Sequence, residues 1–220
     1  MREPPEARLV VPTERHVERL SREGIACETR ARLVRRLLEA LASEVAFASP
    51  EITRLALTDA LSAVAPDDPL LGPIARGGAR VWWKTVDSID AAIGALRAAD
   101  TPVSALDRVE VQGGTLGRRA RMLRTALVAL DRALSAAGLV DGRSAGVVLA
   151  RAIAAADPKA LASTVGSARV VARWIVGWEP VDLAWWRALD AALARVGGGA
   201  TLELPTFASR LDATKERDPL

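Results

Sequence analysis

The sequence is poor in the residues that build disulfides, metal centres and membrane spans. Cys27 is the only cysteine, so an intramolecular disulfide is impossible. His16 is the only histidine; it lies between charged neighbours, and we expect it at the surface rather than in a zinc or Ser/His site. No apolar run approaches the roughly 18 residues of a spanning helix, and residues 1–5 show no signal sequence. We therefore expect a cytoplasmic chain without a membrane partner.

Aromatic residues are also scarce, at 4% of the chain, with six Trp, two Phe and no Tyr. Leu, Val and Ala must therefore supply most of the packing. Four of the Trp lie close together in the sequence, at Trp174, Trp178, Trp185 and Trp186. Such side chains stack on single-stranded bases, pack between a helix and a sheet, or contact a neighbouring domain. We expect packing for most of them.

The first predicted strand, residues 8–12, is followed at once by a predicted helix over residues 13–21. Nucleotide-binding α/β folds often begin this way, but here no glycine and no Gly-Lys-Ser/Thr separates strand from helix. Nothing in this loop can surround a triphosphate. The pattern indicates the scaffold of a nucleotide-binding fold that lacks the residues needed to bind a triphosphate.

Strands and helices alternate at both ends of the chain. Residues 25–28 predict a second strand, and Thr29 is placed to cap the helix that follows, which indicates a parallel βαβ unit. Near the other end, a strand over 168–177, a helix over 181–196 and a strand over 200–205 restore the alternation. Between residues 49 and 164 almost every periodic segment is helical. The sequence therefore predicts an α/β core, residues 1–48 with 165–220, interrupted by an inserted helical subdomain, residues 49–164.

The charge excess is small, with 30 basic and 27 acidic side chains and a net charge of +3. Its distribution is more informative, because Arg30, Arg32, Arg35 and Arg36 cluster at the start of a predicted helix, where cations oppose the helix dipole. Contact with phosphates would explain why arginines are placed at this unfavourable end of the helix. A solvated arginine face remains the alternative.

Two acidic residues, Glu179 and Asp182, follow the predicted strand that ends at Gly177-Trp178. ATPases of this architecture hold Mg²⁺ at such a strand end, but acids at a helix start also simply favour the helix dipole. Without a phosphate loop there would be no bound nucleotide phosphate for the metal to coordinate. We therefore expect no catalytic residue, no metal and no bound cofactor in this chain.

Three segments together, residues 10–15, 27–37 and 130–141, resemble the amino-terminal region of AddB-like and RecB-family nuclease proteins. Those proteins are relatives of superfamily 1 helicases of the UvrD type and commonly end in a PD-(D/E)XK nuclease domain. Residues 170–189 look like the segment in which active members carry their Mg²⁺-binding acids. The resemblance implies a degenerate P-loop-like core that lacks the Walker A motif.

The resemblance also implies a function, that of a catalytically silent helicase-like module that holds or scans DNA during double-strand break repair. Thr29 stands where such helicases contact the DNA backbone, and the neighbouring arginines are placed to reach phosphates. Cleavage would belong to a nuclease domain, or to a partner helicase–nuclease subunit, of a protein longer than this chain. The alternative is a protein-interaction scaffold that uses the Trp-rich corner and binds no DNA.

Overall fold

A computed structural model describes residues 7–203. The chain forms two compact units, one built from residues up to Ser43 and from Gly146 onward, the other from Glu44–Ala145. In chain order the elements are β1 (Arg8–Val11), α1 (Glu14–Arg22), β2 (Cys27–Thr29), α2 (Arg30–Leu41), β3 (Ala46–Ala48), α3 (Pro50–Val64), α4 (Leu71–Arg76), α5 (Ala79–Ala98), α6 (Ser104–Val111), α7 (Gly114–Ala136), β4 (Leu139–Asp141), a short 3-10 helix (Gly142–Ser144), α8 (Ala145–Ala155), α9 (Pro158–Val165), β5 (Arg169–Arg173), α10 (Pro180–Ala194) and β6 (Gly199–Glu203).

The first unit is organised around a parallel sheet of four strands in the order β2-β1-β5-β6. Leu9 of β1 lies in register with Cys27 of β2 on one side and Val171 of β5 on the other. The fold is therefore α/β and mostly helical, with a small parallel sheet. The prediction of a parallel sheet is confirmed, as is the prediction that Thr29 caps α2.

Alternation along the strands separates two hydrophobic clusters. Val10, Val170 and Ala172 belong to the larger cluster, together with apolar residues of α2, α8, α9 and α10. Leu9 and Val11 belong to the smaller one, which includes Leu20 of α1. Helices therefore cover both faces, as expected for a parallel sheet.

The helices α8 and α9 fall in the segment that the sequence pattern assigned to the helical insertion. In the structure, Leu149 and Ile153 of α8 and Leu161 and Val165 of α9 are fully buried in the larger cluster of the first unit. Helical periodicity shows that a helix has an apolar face but not which core that face joins.

The second unit packs α3, α5 and α7 through a core that includes Leu57, Leu61, Ile93, Leu127 and Leu130. It also contains two strands, β3 and β4, paired in parallel. We predicted neither as a strand, because a three-residue run carries no periodicity and, unlike β2 beside β1, neither lies near its partner strand in the sequence. The second unit is thus helical with a two-stranded sheet.

Two predicted strands end differently in the structure. The strand predicted over 168–177 stops at Arg173, because Trp174 has a φ of +63°, in the left-handed region that strands do not use. The strand predicted over 200–205 is β6, and its last two predicted residues lie outside the described range, as do residues 1–6 and the polar tail from residue 212. Within residues 7–203, no helix combines the length and apolar character needed to cross a membrane.

Candidate functional site

The carboxyl edge of the four-stranded sheet is the natural place to look for a site in the first unit. From β1 the chain continues to β2 on one side, while β5 lies on the other side, so the strand order reverses between β1 and β5. Ligands of open α/β sheets bind at such a reversal, outside the carboxyl ends of the strands. The helices α1, α2 and α10 all begin at or after these strand ends.

The loop after β1 is too short to bind phosphate in the usual way. It consists of Pro12 and Thr13 alone, both exposed, and α1 begins at Glu14. Thr13 makes no capping hydrogen bond with its side chain; instead its hydroxyl lies 2.8 Å from Nδ1 of His16. In the structure β1 therefore leads into α1 through two residues, where a phosphate-binding protein would have a glycine-rich loop.

An aromatic and cationic group spans the reversal point. The rings of His16 and Trp174 lie 5.6 Å apart between centroids, and the Arg173 guanidinium carbon is 5.8 Å from the Trp174 ring centroid. Arg173 also pairs with Glu203, at 2.6 Å from Nε to Oε2. His16 and Trp174 are both half-buried. The sequence placed His16 at the surface and had no signal for its contact with a residue 158 positions away.

Thr29 and Arg32, two of the predicted DNA contacts, are joined to Glu14 at the start of α1. The Thr29 hydroxyl accepts a hydrogen bond from the Arg32 backbone N–H at 3.3 Å and donates one to Glu14 Oε1 at 3.4 Å. Arg32 Nη2 lies 2.9 Å from Glu14 Oε2. Thr29 is buried, whereas Arg32 is exposed, so only the arginine is accessible to a ligand without rearrangement.

Arg30 is held by the start of α10. Its Nη1 donates to Asp182 Oδ2 at 2.7 Å, and its guanidinium carbon lies 5.5 Å from the Trp178 ring centroid. Asp182 also accepts from Trp185 Nε1 at 3.2 Å and from the Glu179 backbone N–H at 3.3 Å, completing a capping box. Asp182 is therefore engaged in structural contacts. Within residues 7–203, no three His, Cys, Asp or Glu side chains are grouped so that they could hold a metal ion.

Arg36 belongs to an ion triad around a buried carboxylate. Glu28, 5% exposed, pairs with both Arg36 and Arg8, the latter at 2.7 Å. Arg36 also donates to the carbonyl oxygen of Thr164 at 2.6 Å, near the end of α9. Because Glu28 is in register with Val10 on the core face of the sheet, its charge needs these partners.

Arg35 differs from the other four predicted contacts. It is exposed and makes no hydrogen bond or ion pair with any residue of the described range. Arg32 precedes it by three positions, so the two guanidinium groups share one face of α2. The arginine cluster predicted from the sequence therefore divides into buried or held members, Arg30 and Arg36, and an accessible pair, Arg32 and Arg35.

The Trp-rich corner is mostly interior. Trp185 and Trp186 are 1% and 3% exposed, and both rings contact Trp178 in tilted or edge-on arrangements. Trp178 and Trp174 are half-buried. Packing is thus the role of Trp185 and Trp186, which leaves Trp174 and Trp178 as the members with accessible surface.

The comparisons with known proteins add no relative to this description. No protein-family model matches the chain, and no curated protein sequence matches it significantly.

Proposed function

We propose that the first unit is a catalytically silent, helicase-like module that binds DNA at the carboxyl edge of its parallel sheet. In this proposal the sheet is a P-loop-like core that has lost its phosphate loop, and residues 44–145 are a helical subdomain inserted into it. Cleavage and DNA unwinding belong to a nuclease domain or to a partner helicase–nuclease subunit in double-strand break repair.

The observation that carries the proposal is the direct passage from β1 through Pro12-Thr13 into α1, at the point where the strand order reverses. A nucleotide-hydrolysing relative needs glycines and a lysine here. Instead, the half-buried Trp174 follows the end of β5, and α2, which begins where β2 ends, carries the exposed residues Arg32 and Arg35. Aromatic faces stack on bases and arginines contact phosphates, so these residues offer both elements of single-strand binding.

The five residues predicted to contact DNA do not contribute equally to this proposal. Arg32 and Arg35 carry it, because they are exposed. Thr29 positions α2, while Arg30 and Arg36 hold the fold through Asp182 and Glu28. A charge reversal at Arg30 or Arg36 would therefore weaken DNA binding either by removing a contact or by destabilising the fold, and the titration would not distinguish the two causes.

The experiment is a fluorescence-anisotropy titration of a labelled single-stranded oligonucleotide with the full chain at low and moderate salt. We expect affinity to fall with salt, since phosphate contacts release counterions. The double variant Arg32→Glu with Arg35→Glu is expected to bind more weakly and to lower the salt slope by about 1 to 2. The matched control reverses Arg151 and Arg187, two exposed arginines in the middle of α8 and α10.

Absence of binding at low salt, or equal weakening by both double variants, would refute a DNA interface on α2. The alternative function, a protein-interaction scaffold, would then be tested through the accessible tryptophans rather than the buried ones. Trp178→Ala would abolish self-association or partner binding in that case, while leaving the chain without affinity for DNA.

A further inference from the structure

The second unit contains an open cavity at the carboxyl ends of β3 and β4, of about 430 Å³. This volume lies within the range of small-molecule sites, roughly 300 to 1,000 Å³. The lining residues come from β3, the start of α3, the middle of α5 and the turn after β4: Ala48, Pro50, Thr53, Asp90, Asp141, Gly142 and Arg143.

Small residues keep this cavity open. Ala48 ends β3 opposite Asp141 of β4, and Gly142 follows directly. A Cβ atom on Gly142 would lie 2.7 Å from the Ala48 carbonyl oxygen, closer than packing allows. The two strand ends therefore approach each other through a backbone contact, and no side chain fills the space above them.

The charged groups of the cavity are already paired. Asp141, 2% exposed, accepts from Arg143 Nε at 3.0 Å on Oδ1 and 3.1 Å on Oδ2. Arg143 Nη1 donates to Asp90 Oδ1 at 2.8 Å and to the Asp90 carbonyl oxygen at 3.0 Å. Burial disfavours the Arg143 charge, but the hydrogen bonds and charges of Asp141 and Asp90 outweigh it and raise the pKa.

Within residues 7–203, two polar groups of the lining have neither a hydrogen bond nor an ion pair, whereas Arg143 Nη2, which makes no hydrogen bond, lies 2.9 Å from Asp141 Oδ2. Thr53 is 3% exposed, yet its hydroxyl makes no hydrogen bond with any residue of the described range. The second carboxylate oxygen of Asp90, Oδ2, likewise has no hydrogen-bond partner there. Buried polar groups are normally satisfied, so the Thr53 hydroxyl left open at this cavity indicates a missing ligand, and the half-buried Asp90 Oδ2 offers that ligand an acceptor.

We propose that this cavity binds a small uncharged molecule with a carboxamide-type edge, an N–H donor beside a carbonyl oxygen, on a flat apolar body. The ligand N–H donates to Asp90 Oδ2, and its carbonyl oxygen accepts from the Thr53 hydroxyl. Ala48 and Pro50 provide apolar contact for the body. The site is in the second unit and does not depend on the proposed DNA interface.

The charge balance selects an uncharged ligand. An anion would meet the carboxylates of Asp90 and Asp141, whereas a cation would meet the Arg143 guanidinium and the positive end of the α3 dipole. Arg143 pairs with both carboxylates and Arg97 Nε lies 3.9 Å from Asp141 Oδ2, so two cations face two carboxylates and neither kind of ion would meet an uncompensated opposite charge. A neutral donor–acceptor edge uses only the two open groups.

Benzamide, benzoate and benzamidine test this proposal, because they share shape and size and differ in charge. Ligand-observed and protein-observed NMR titrations of the full chain would give each affinity. A probe of this size is expected to bind with a Kd of about 1 mM for benzamide, and we expect the two ions to bind at least about tenfold more weakly.

Thr53→Val tests the hydroxyl without changing the shape of the side chain. We expect benzamide affinity to fall about fivefold, while Thr53→Ser, which keeps a hydroxyl, retains it. Thr58→Val is the matched control, since the Thr58 hydroxyl already donates to the Arg54 carbonyl oxygen on the same helix. Melting by circular dichroism would verify that each variant is folded.

The proposal is overturned if benzoate or benzamidine binds as tightly as benzamide, or if none of the three shifts any resonance of the second unit. It is also overturned if Thr53→Val binds benzamide like the wild type. Should Thr53→Val unfold, the charge series and Thr53→Ser still decide the outcome.

Discussion

Two regions of the molecule share a backbone plan and use it differently. In the first unit, β1 and β2 are parallel neighbours and each leads within a few residues into a helix; in the second unit, β3 leads into α3 in the same way, beside parallel β4. Thr29 caps α2 and Ser49 caps α3, each by accepting a backbone N–H. The strand ends of the two units are thus built from the same local chemistry.

The side chains make the difference. The edge of the first unit is filled by large groups in mutual contact, such as Arg30 over Trp178 and Trp178 against Trp186. At the edge of the second unit, Ala48 and Gly142 leave a cavity. Strand ends therefore form a packed surface where the side chains are large and a pocket where they are small. Replacing a large side chain by alanine at the edge of the first unit should accordingly destabilise the fold.

The largest expected effect is at the packed edge. Trp185→Ala removes a ring that is 1% exposed and that contacts both Trp178 and Trp186, and it should lower the free energy of unfolding by about 4 kcal/mol. Trp83→Ala, in α5, is the matched control because that ring is 46% exposed. Urea unfolding followed by circular dichroism measures both. A loss below about 1 kcal/mol for Trp185→Ala would contradict the packed description.

Asp182→Ala tests whether polar contacts stabilise the same edge. It removes an acceptor from Arg30, from Trp185 Nε1 and from the Glu179 backbone, and we expect a loss of about 2 to 3 kcal/mol. Asp59→Ala, at an exposed position without a partner in the described range, should change stability by less than about 0.5 kcal/mol. Equal stability of the two variants would show that the capping box contributes nothing.

Gly142→Ala tests the close approach that keeps the cavity of the second unit open. The new Cβ would meet the Ala48 carbonyl oxygen, and relieving this contact should cost about 1.5 kcal/mol. Gly94→Ala is the control: its nearest atoms are at 3.7 Å, and α5 should gain up to about 1 kcal/mol from the better helix former. Opposite signs in thermal melts are expected, and equal signs would exclude the steric explanation.

Ser49→Ala has the smallest expected effect, about 1 kcal/mol, from loss of the α3 cap. The Ser49 hydroxyl donates to Glu51 Oε2 at 2.7 Å and so lowers the pKa of Glu51 below its ordinary value of 4.5. A lowered pKa in the folded state stabilises the fold above pH 4.5, and this contribution is lost as pH falls through the folded pKa. In the variant, NMR titration should show the pKa of Glu51 rising towards 4.5; an unchanged pKa would exclude the hydroxyl as the cause.

Local features of the fold were accessible from the sequence. Thr29 as the cap of α2 and the strand around Val10 follow from rules that involve a few neighbouring residues. The strands β3 and β4 were not predicted, because three residues carry no period and their pairing joins Ala46 to Leu139, far apart in the chain.

The candidate sites were accessible only in part. The missing glycine loop after β1 is a local feature and was visible in the sequence. The division of the arginine cluster into held and accessible members was not visible in the sequence. Arg30 pairs with Asp182, and Arg36 pairs with Glu28 and donates to a carbonyl near the end of α9, and all of these are tertiary contacts. The cavity at Thr53 and Asp90 had no sequence signal at all, since its residues come from three separate segments of the chain.

The sequence by itself determined where several helices and strands of the first unit begin and that the first loop cannot hold a triphosphate, because caps, periodicity and glycine content act between near neighbours. Only the tertiary structure decided which charges are compensated, which tryptophans are interior and where a cavity remains. Burial and ion pairing depend on residues brought together from distant parts of the chain, and the cost of a buried charge or an open space is set by those partners.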